Sequence, residues 1–249
     1  MTLRSILNPA SFATLVLAAG ATAPEASAQD YVMFEVERLS PLPGDPTDLG
    51  AQLLAHNEAY HSEAPYTASV FYMLTGEYSG QYQWAMGPIT FSQIGDRPAD
   101  PGHASDRSSK VSAHSEFHGT EYWVQVDDLT NTPPNVSSAA RPISVVRRFE
   151  VADNELFRKV QAQVMEVVAS AGRPFPRTMY QRRFARADRW GWAAITSYES
   201  FSDLDQGSFD FQEAFREHFG DAAWATFQAE SSEAILNRDD VIRQLVTGN

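Results

Sequence analysis

The sequence predicts an α+β fold built from two tandem β-α-β-β-α-β units on one chain, and three observations carry that expectation. The stretch Ile143–Gly172 reads as a strand, a polar turn at Ala152-Asp153 and an amphipathic helix. Its strand closes on Phe149-Glu150-Val151, and the same tripeptide occurs earlier at Phe34-Glu35-Val36. A second echo follows each copy, first as Gln83-Trp84-Ala85 and then as Gly191-Trp192-Ala193.

The first unit opens with Tyr31–Arg38, where apolar and polar residues alternate with the period of a strand. Pro41, Pro43 and Pro46 stop it. Asp48 is placed to cap a helix over Leu49–His61, which Pro65 closes. Tyr66–Leu74 and Tyr82–Met86 read as a hairpin about Gly76–Gly80, His103–His118 as a polar helix, and Tyr122–Val126 as a strand. Asp128–Pro142, with Pro133-Pro134, reads as a linker.

The second unit repeats the order. After the strand Ile143–Val151, Asp153 caps a helix with the stripe Phe157, Val160, Val164 and Val167, and Gly172 suits its C-terminal stop. A hairpin follows, Thr178–Ala187 with Trp190–Ser197, turning at Asp188. Two helices, Phe209–Phe219 and Asp221–Ile235, break at Gly220 before a last strand, Val241–Val246. The expected divisions are a targeting segment over 1–28, a first unit over 29–127, a linker over 128–142 and a second unit over 143–249.

The targeting segment combines Arg4, a short apolar run from Phe12 to Ala21 and the small-residue pattern Ala26-Ser27-Ala28. Cleavage after Ala28 is expected, giving a periplasmic or secreted protein with no membrane insertion thereafter. The run is too short to span a bilayer, which needs about 20 apolar residues. A chain without cysteine has no disulfides, thiolate metal sites or cysteine nucleophiles. Its net charge of −13 argues against nucleic acid as a partner.

This element order, twice over, resembles the dimeric α+β-barrel superfamily in its fused form. That resemblance implies two ferredoxin-like units packed sheet to sheet as an intrachain pseudo-dimeric barrel, with a pocket between the sheets. It implies no single chemistry, because the superfamily includes cofactor-free monooxygenases, isomerases and heme-dependent enzymes as well as proteins without known activity.

If the helices cover the apolar side of each strand, Val32, Phe34 and Val36, like Ile143, Val145, Phe149 and Val151, lie beneath them. Glu35, Glu37, Arg148 and Glu150 then point into the barrel. Either they form a structural lattice of paired charges, or Glu35 or Glu150 serves as a base with Arg148 stabilising an anion. Tyr72, Trp84, Arg182, Arg183 and Trp192 are the candidate ligand-binding residues. Arginines crowd the region from Arg147 to Arg189, where pairing with the chain's own acids competes with a pocket for an anion.

His114 and His118 would share one face of a helix and could begin a metal site, but no third ligand stands nearby except the remote His103. His56 and His61, five apart, share a face poorly and read as solvated. His218 has no accompanying heme motif, and no cofactor is expected. The sequence therefore points to an exported, soluble barrel that binds a small organic molecule. Cofactor-independent oxygenase, isomerase or lyase chemistry in the same pocket is one alternative, and a structural partner-binding protein is another. Oligomeric state is left open.

Overall fold

The computed structural model describes residues 31–131, 139–171, 176–185, 189–205 and 209–248. The segment read as an export peptide, residues 132–138 of the Pro-rich linker and the turn at Asp188 lie outside the described residues. Eight antiparallel strands close a barrel: β1 (Met33–Pro41), β2 (Ala68–Met73), β3 (Tyr82–Met86), β4 (Ser115–Gln125), β5 (Ile143–Val151), β6 (Arg177–Arg182), β7 (Trp192–Tyr198) and β8 (Ile235–Leu245). Around the barrel they run β1-β3-β2-β8-β5-β7-β6-β4, and β4 pairs back onto β1. Two seams join the halves. Tyr72 faces Gln244 across β2 and β8, and Val124 faces Gln181 across β4 and β6. Each seam is three residue pairs long, and closure encloses the inner face of the strands.

The helices lie outside. Helix α1 (Leu49–Tyr60) starts where Asp48 accepts a hydrogen bond from the Ala51 amide at 3.1 Å. After β3 come α2 (Phe91–Gly95), α3 (Pro101–Asp106) and a wide turn, Arg107–Val111, where a polar helix through His118 was expected. The chain straightens instead at Ser115, because Ser115–Gln125 pairs with β1 along almost its whole length. Helix α4 (Asn154–Ser170) is capped by the Asp153 carboxylate, which accepts from the Glu155 and Leu156 amides. The short α5 (Ser202–Asp205) leads to α6 (Phe211–Phe219) and α7 (Asp221–Ala234), which break at Gly220, where φ is +87°. That left-handed conformation favours glycine. No described helix is long and apolar enough to cross a membrane.

Apolar side chains sort into layers by strand alternation. Met33, Leu39, Val70, Trp84 and Met86 pack outward against Leu49 and Leu53 of α1. Phe149, Met179, Trp192 and Ala194 pack outward against Phe157 of α4. Val36, Trp123, Val146 and Ala193 meet inside the barrel, joined by Phe34 and Tyr180. A fourth cluster, Val160, Val167, Phe215 and Phe227, holds α6 and α7 on α4.

The inner cluster corrects one expectation. In the second half Phe149 lies under the helix and Arg148 faces inward, as the alternation argument requires. In the first half the phase is reversed: Phe34 and Val36 face the barrel, while Met33, Glu35 and Glu37 face the outer layer. Phe34 and Phe149 therefore occupy opposite faces, and so do Glu35 and Glu150. The repeated tripeptide is a coincidence. The Trp-Ala echo keeps its phase, with Trp84 and Trp192 outside and Ala85 and Ala193 inside.

Candidate functional site: the barrel interior

The barrel encloses a cavity of about 380 Å³ to which all eight strands contribute. Its walls are mixed. Phe34, Val36, Phe71, Val146 and Ile195 make an apolar surface, and four arginines enter it: Arg38, Arg148, Arg182 and Arg243. Among the described residues, Glu121 is the only carboxylate in the lining. A protein of net charge −13 thus concentrates positive charge in its interior.

The arginines differ in how they are held. At one end, the Tyr78 ring is flanked by two guanidinium groups, Arg38 at 3.6 Å and Arg148 at 4.5 Å from its centroid. Arg148 is paired with Asp239 and, at 3.0 Å, with Glu77. Arg182 stands 3.6 Å from Glu121, which also accepts a hydrogen bond from the Trp123 indole. Arg243 differs from these. It is 8% exposed, donates from Nη1 to the Gln83 amide oxygen, and lies 3.9 Å from the Phe71 ring centroid. Among the described residues it has no ion pair with a carboxylate. Burial holds its pKa down at about 10, far below the usual guanidinium value. The Nε atoms of Arg38, Arg148 and Arg243 are buried without a hydrogen-bond partner among the described residues. Buried donors of this kind are costly unless something accepts from them.

Two phenols complete the polar surface. Burial pushes Tyr180 up to about 12, so it is a hydrogen-bond donor at neutral pH. Tyr78 is raised by burial and then by its hydrogen bond with Glu77. Together the guanidinium and phenol groups can hold an anion and stabilise negative charge developing on it.

Of the residues picked from sequence, Arg148, Arg182 and the metal candidate His118 line the cavity. The rest lie elsewhere. Glu35 faces outward and binds Arg97 at 2.6 Å, and Glu150 is held by Asn237 with Arg189 at 3.7 Å. Neither lines the cavity, so neither is placed as its base. Trp84 and Trp192 belong to the outer cores, Tyr72 packs on Tyr82, and Arg183 is exposed. Strand phase decides Glu35, Trp84, Trp192 and Tyr72: Phe71 and Met73 point inward, so Tyr72 cannot. Tyr180, read from the sequence as a core or barrel-lining aromatic, does line the cavity, whereas Arg38, Arg243, Tyr78 and Trp123 were missed. The signal for Arg243 was present, an arginine close to the apolar Val241, Ile242 and Leu245 in the last strand.

The metal pair read from sequence is not assembled. His114 bonds Asp45 at 2.8 Å, and His118 bonds the Ser40 hydroxyl at 2.7 Å. Four residues of extended chain span about 13 Å, too far for one ion to bridge.

No family model matches the sequence, and no curated protein does. Solved structures do match in fold. A candidate monooxygenase from Fusobacterium nucleatum aligns with a TM-score of 0.55 at 8% identity, over 87% of this chain and 93% of its own. An anthrone oxidase-like protein aligns at 0.54 with 10% identity, over 88% and 93%. The chlorite dismutase of Candidatus Nitrospira defluvii, in complex with imidazole, aligns at 0.51 with 9% identity, over 87% and 91%.

The expectation of no cofactor is corrected by the same comparison. Chlorite dismutases are among the matching folds at TM-scores of 0.51, so a cofactor-free state is not supported. The barrel lining itself does not fit heme. Tyr180 is held as a phenol where an axial tyrosine must ionise, and His118, the one imidazole among the described lining residues, already spends Nε2 on Ser40. His218 faces Phe219 and Glu166, beside a core filled with phenylalanine. The fold of the chain is similar to that of chlorite dismutase-like, dimeric α+β-barrel proteins.

Proposed function

We propose that the barrel binds a small organic anion with an apolar or aromatic body. The observation that carries this reading is Arg243, a buried cation without a carboxylate partner among the described residues, set against an apolar wall. A bound carboxylate or sulfonate would accept from its idle Nε and neutralise its charge, while Phe34, Phe71 and Ile195 took up the organic part. Calorimetric titration with benzoate, 1-naphthoate and the neutral 1-naphthylmethanol tests this. The expected result is 1-naphthoate binding that weakens roughly tenfold or more in Arg243→Met, since a charged hydrogen bond is worth about 1.5–3 kcal/mol. Equal binding of acid and alcohol, or no loss in the variant, overturns it.

Two further readings concern the chain as a whole. We read residues 29–127 and 143–249 as repeats of one ferredoxin-like unit. Support comes from the order β4-β1-β3-β2 in one half and β8-β5-β7-β6 in the other, the same order in relative terms. Residues 1–28 are proposed as an export peptide, a reading that rests on Ala26-Ser27-Ala28. N-terminal sequencing of the protein recovered outside the cytoplasm, beginning at Gln29, is the expected result.

A further inference from the structure

Three imidazoles converge outside the barrel, where the end of α1 meets α3. His56 lies on α1, His61 is the residue just past its last turn, and His103 comes from α3. The Nε2 atom of His103 stands 3.1 Å from Nε2 of His56 and 3.2 Å from Nε2 of His61. One ligating nitrogen from each of the three lies within 4.8 Å of the others. Four-coordinate zinc with Zn–N bonds of about 2.0–2.1 Å sets its nitrogens roughly 3.3 Å apart, close to the two distances seen.

The outer nitrogens fix which way these rings are protonated. Nδ1 of His56 faces the Asp106 carboxylate at 2.8 Å, and Asp106 is held in turn by Lys110 at 2.5 Å. Nδ1 of His61 faces the Tyr66 carbonyl oxygen at 3.0 Å. Both acceptors require a proton on Nδ1, so in the neutral rings both Nε2 atoms are lone pairs. His103 Nε2 carries one proton at most and cannot satisfy two lone pairs. A cation at the point of convergence satisfies all three. The carboxylate and carbonyl behind the rings are the partners that orient metal-bound histidines.

We propose that His56, His61 and His103 form a three-histidine site for a divalent transition-metal ion, with Zn²⁺ the best match to the spacing. The surroundings suit it. Burial lowers the pKa of all three, that of His61 to about 4, which keeps the imidazoles neutral and ready to ligate. His56 and His61 are buried and His103 half-buried, so the site opens on the His103 side. The neighbouring charges are Asp100, Asp106, Glu35 and Glu37 against Arg97, Arg107 and Lys110, with Arg97 and Arg107 each tied to a glutamate. Three protein ligands leave the fourth position of a tetrahedral ion for water or a substrate atom. This site is separate from the barrel cavity, and its test does not depend on what the cavity binds.

The experiment takes the full chain, strips it with chelator and titrates it with Zn²⁺ and with Co²⁺. The expected result is one ion per chain by elemental analysis, a higher Tm, and the visible bands of tetrahedral Co²⁺. Asp106→Asn should weaken binding by about 10- to 100-fold. His103→Ala should abolish it, while His118→Ala leaves it intact. A wild-type chain without stoichiometric binding or tetrahedral bands overturns the proposal, and that arm depends on no variant's folding. So does binding that survives His103→Ala or is lost in His118→Ala.

Discussion

The guanidinium of Arg243 lies over the ring of Phe71, one strand away, at 3.9 Å from its centroid. A cation over an aromatic face gains some energy, but not enough to replace hydration and a counter-ion. Arg243 should therefore cost the ligand-free protein stability. Arg243→Met keeps the volume and removes the buried charge, so the ligand-free variant should be more stable than wild type by about 1 kcal/mol or more. Urea unfolding measures it. A less stable Arg243→Met would mean that the Gln83 contact is worth more than the charge costs.

How much of this could be read in the sequence depended on the kind of signal. Helices capped by Asp48 and Asp153 were legible because a carboxylate beside a helical stripe is a local pattern. The break at Gly220 was equally local. Strand phase in β1 was not legible. Val32, Phe34 and Val36 are as apolar as a helix-facing set should be, but in this barrel both faces of β1 mix apolar and charged side chains, so alternation stops telling in from out. The histidine cluster was hidden for a different reason. A spacing of five fits no helix face, yet His61 has left the helix at φ −131° and turns back toward His56, and His103 arrives from 42 residues further on.

Acid sensitivity should trace in part to Asp45. Hydrogen bonds from Thr47, and then His114, lower its pKa from the ordinary 3.8 to about 2. A depressed carboxylate contributes stability above its unfolded pKa, and that contribution is lost as pH falls through the folded one. Asp45→Asn should thus have a lower Tm than wild type at pH 5, with the gap closing between pH 3.8 and about 2. A Tm difference that stays constant over this window would show that the carboxylate's charge is not what matters.

Phe215 is fully buried among rings at 4.6 Å (Phe227), 4.8 Å (Phe219) and 5.4 Å (Trp224). Truncation to alanine should cost about 3–5 kcal/mol, the usual penalty for deleting a buried phenyl ring. Because this cluster lies between α4, α6 and α7, 1-naphthoate affinity measured well below the melting temperature should be retained. Loss of both together would show that the helical layer and the barrel are one cooperative unit.

In each half, a tryptophan of the outer core donates its indole N–H to an asparagine on the covering helix. Trp84 reaches Asn57 at 2.7 Å, and Trp192 reaches Asn154 at 2.8 Å. The two bonds look alike but should not be worth the same. Asn57 is buried and also donates to the Ala68 carbonyl at 3.2 Å, so Asn57→Ala leaves a donor and an acceptor stranded away from water. Asn154 sits exposed at the start of α4, where water can take its place. A stranded buried group costs about 1–3 kcal/mol, whereas an exposed hydrogen bond is worth about 1 kcal/mol or less. Asn57→Ala should therefore lower the urea midpoint at least twice as far as Asn154→Ala. Equal shifts would mean that water enters beneath α1 as freely as it does at the end of α4.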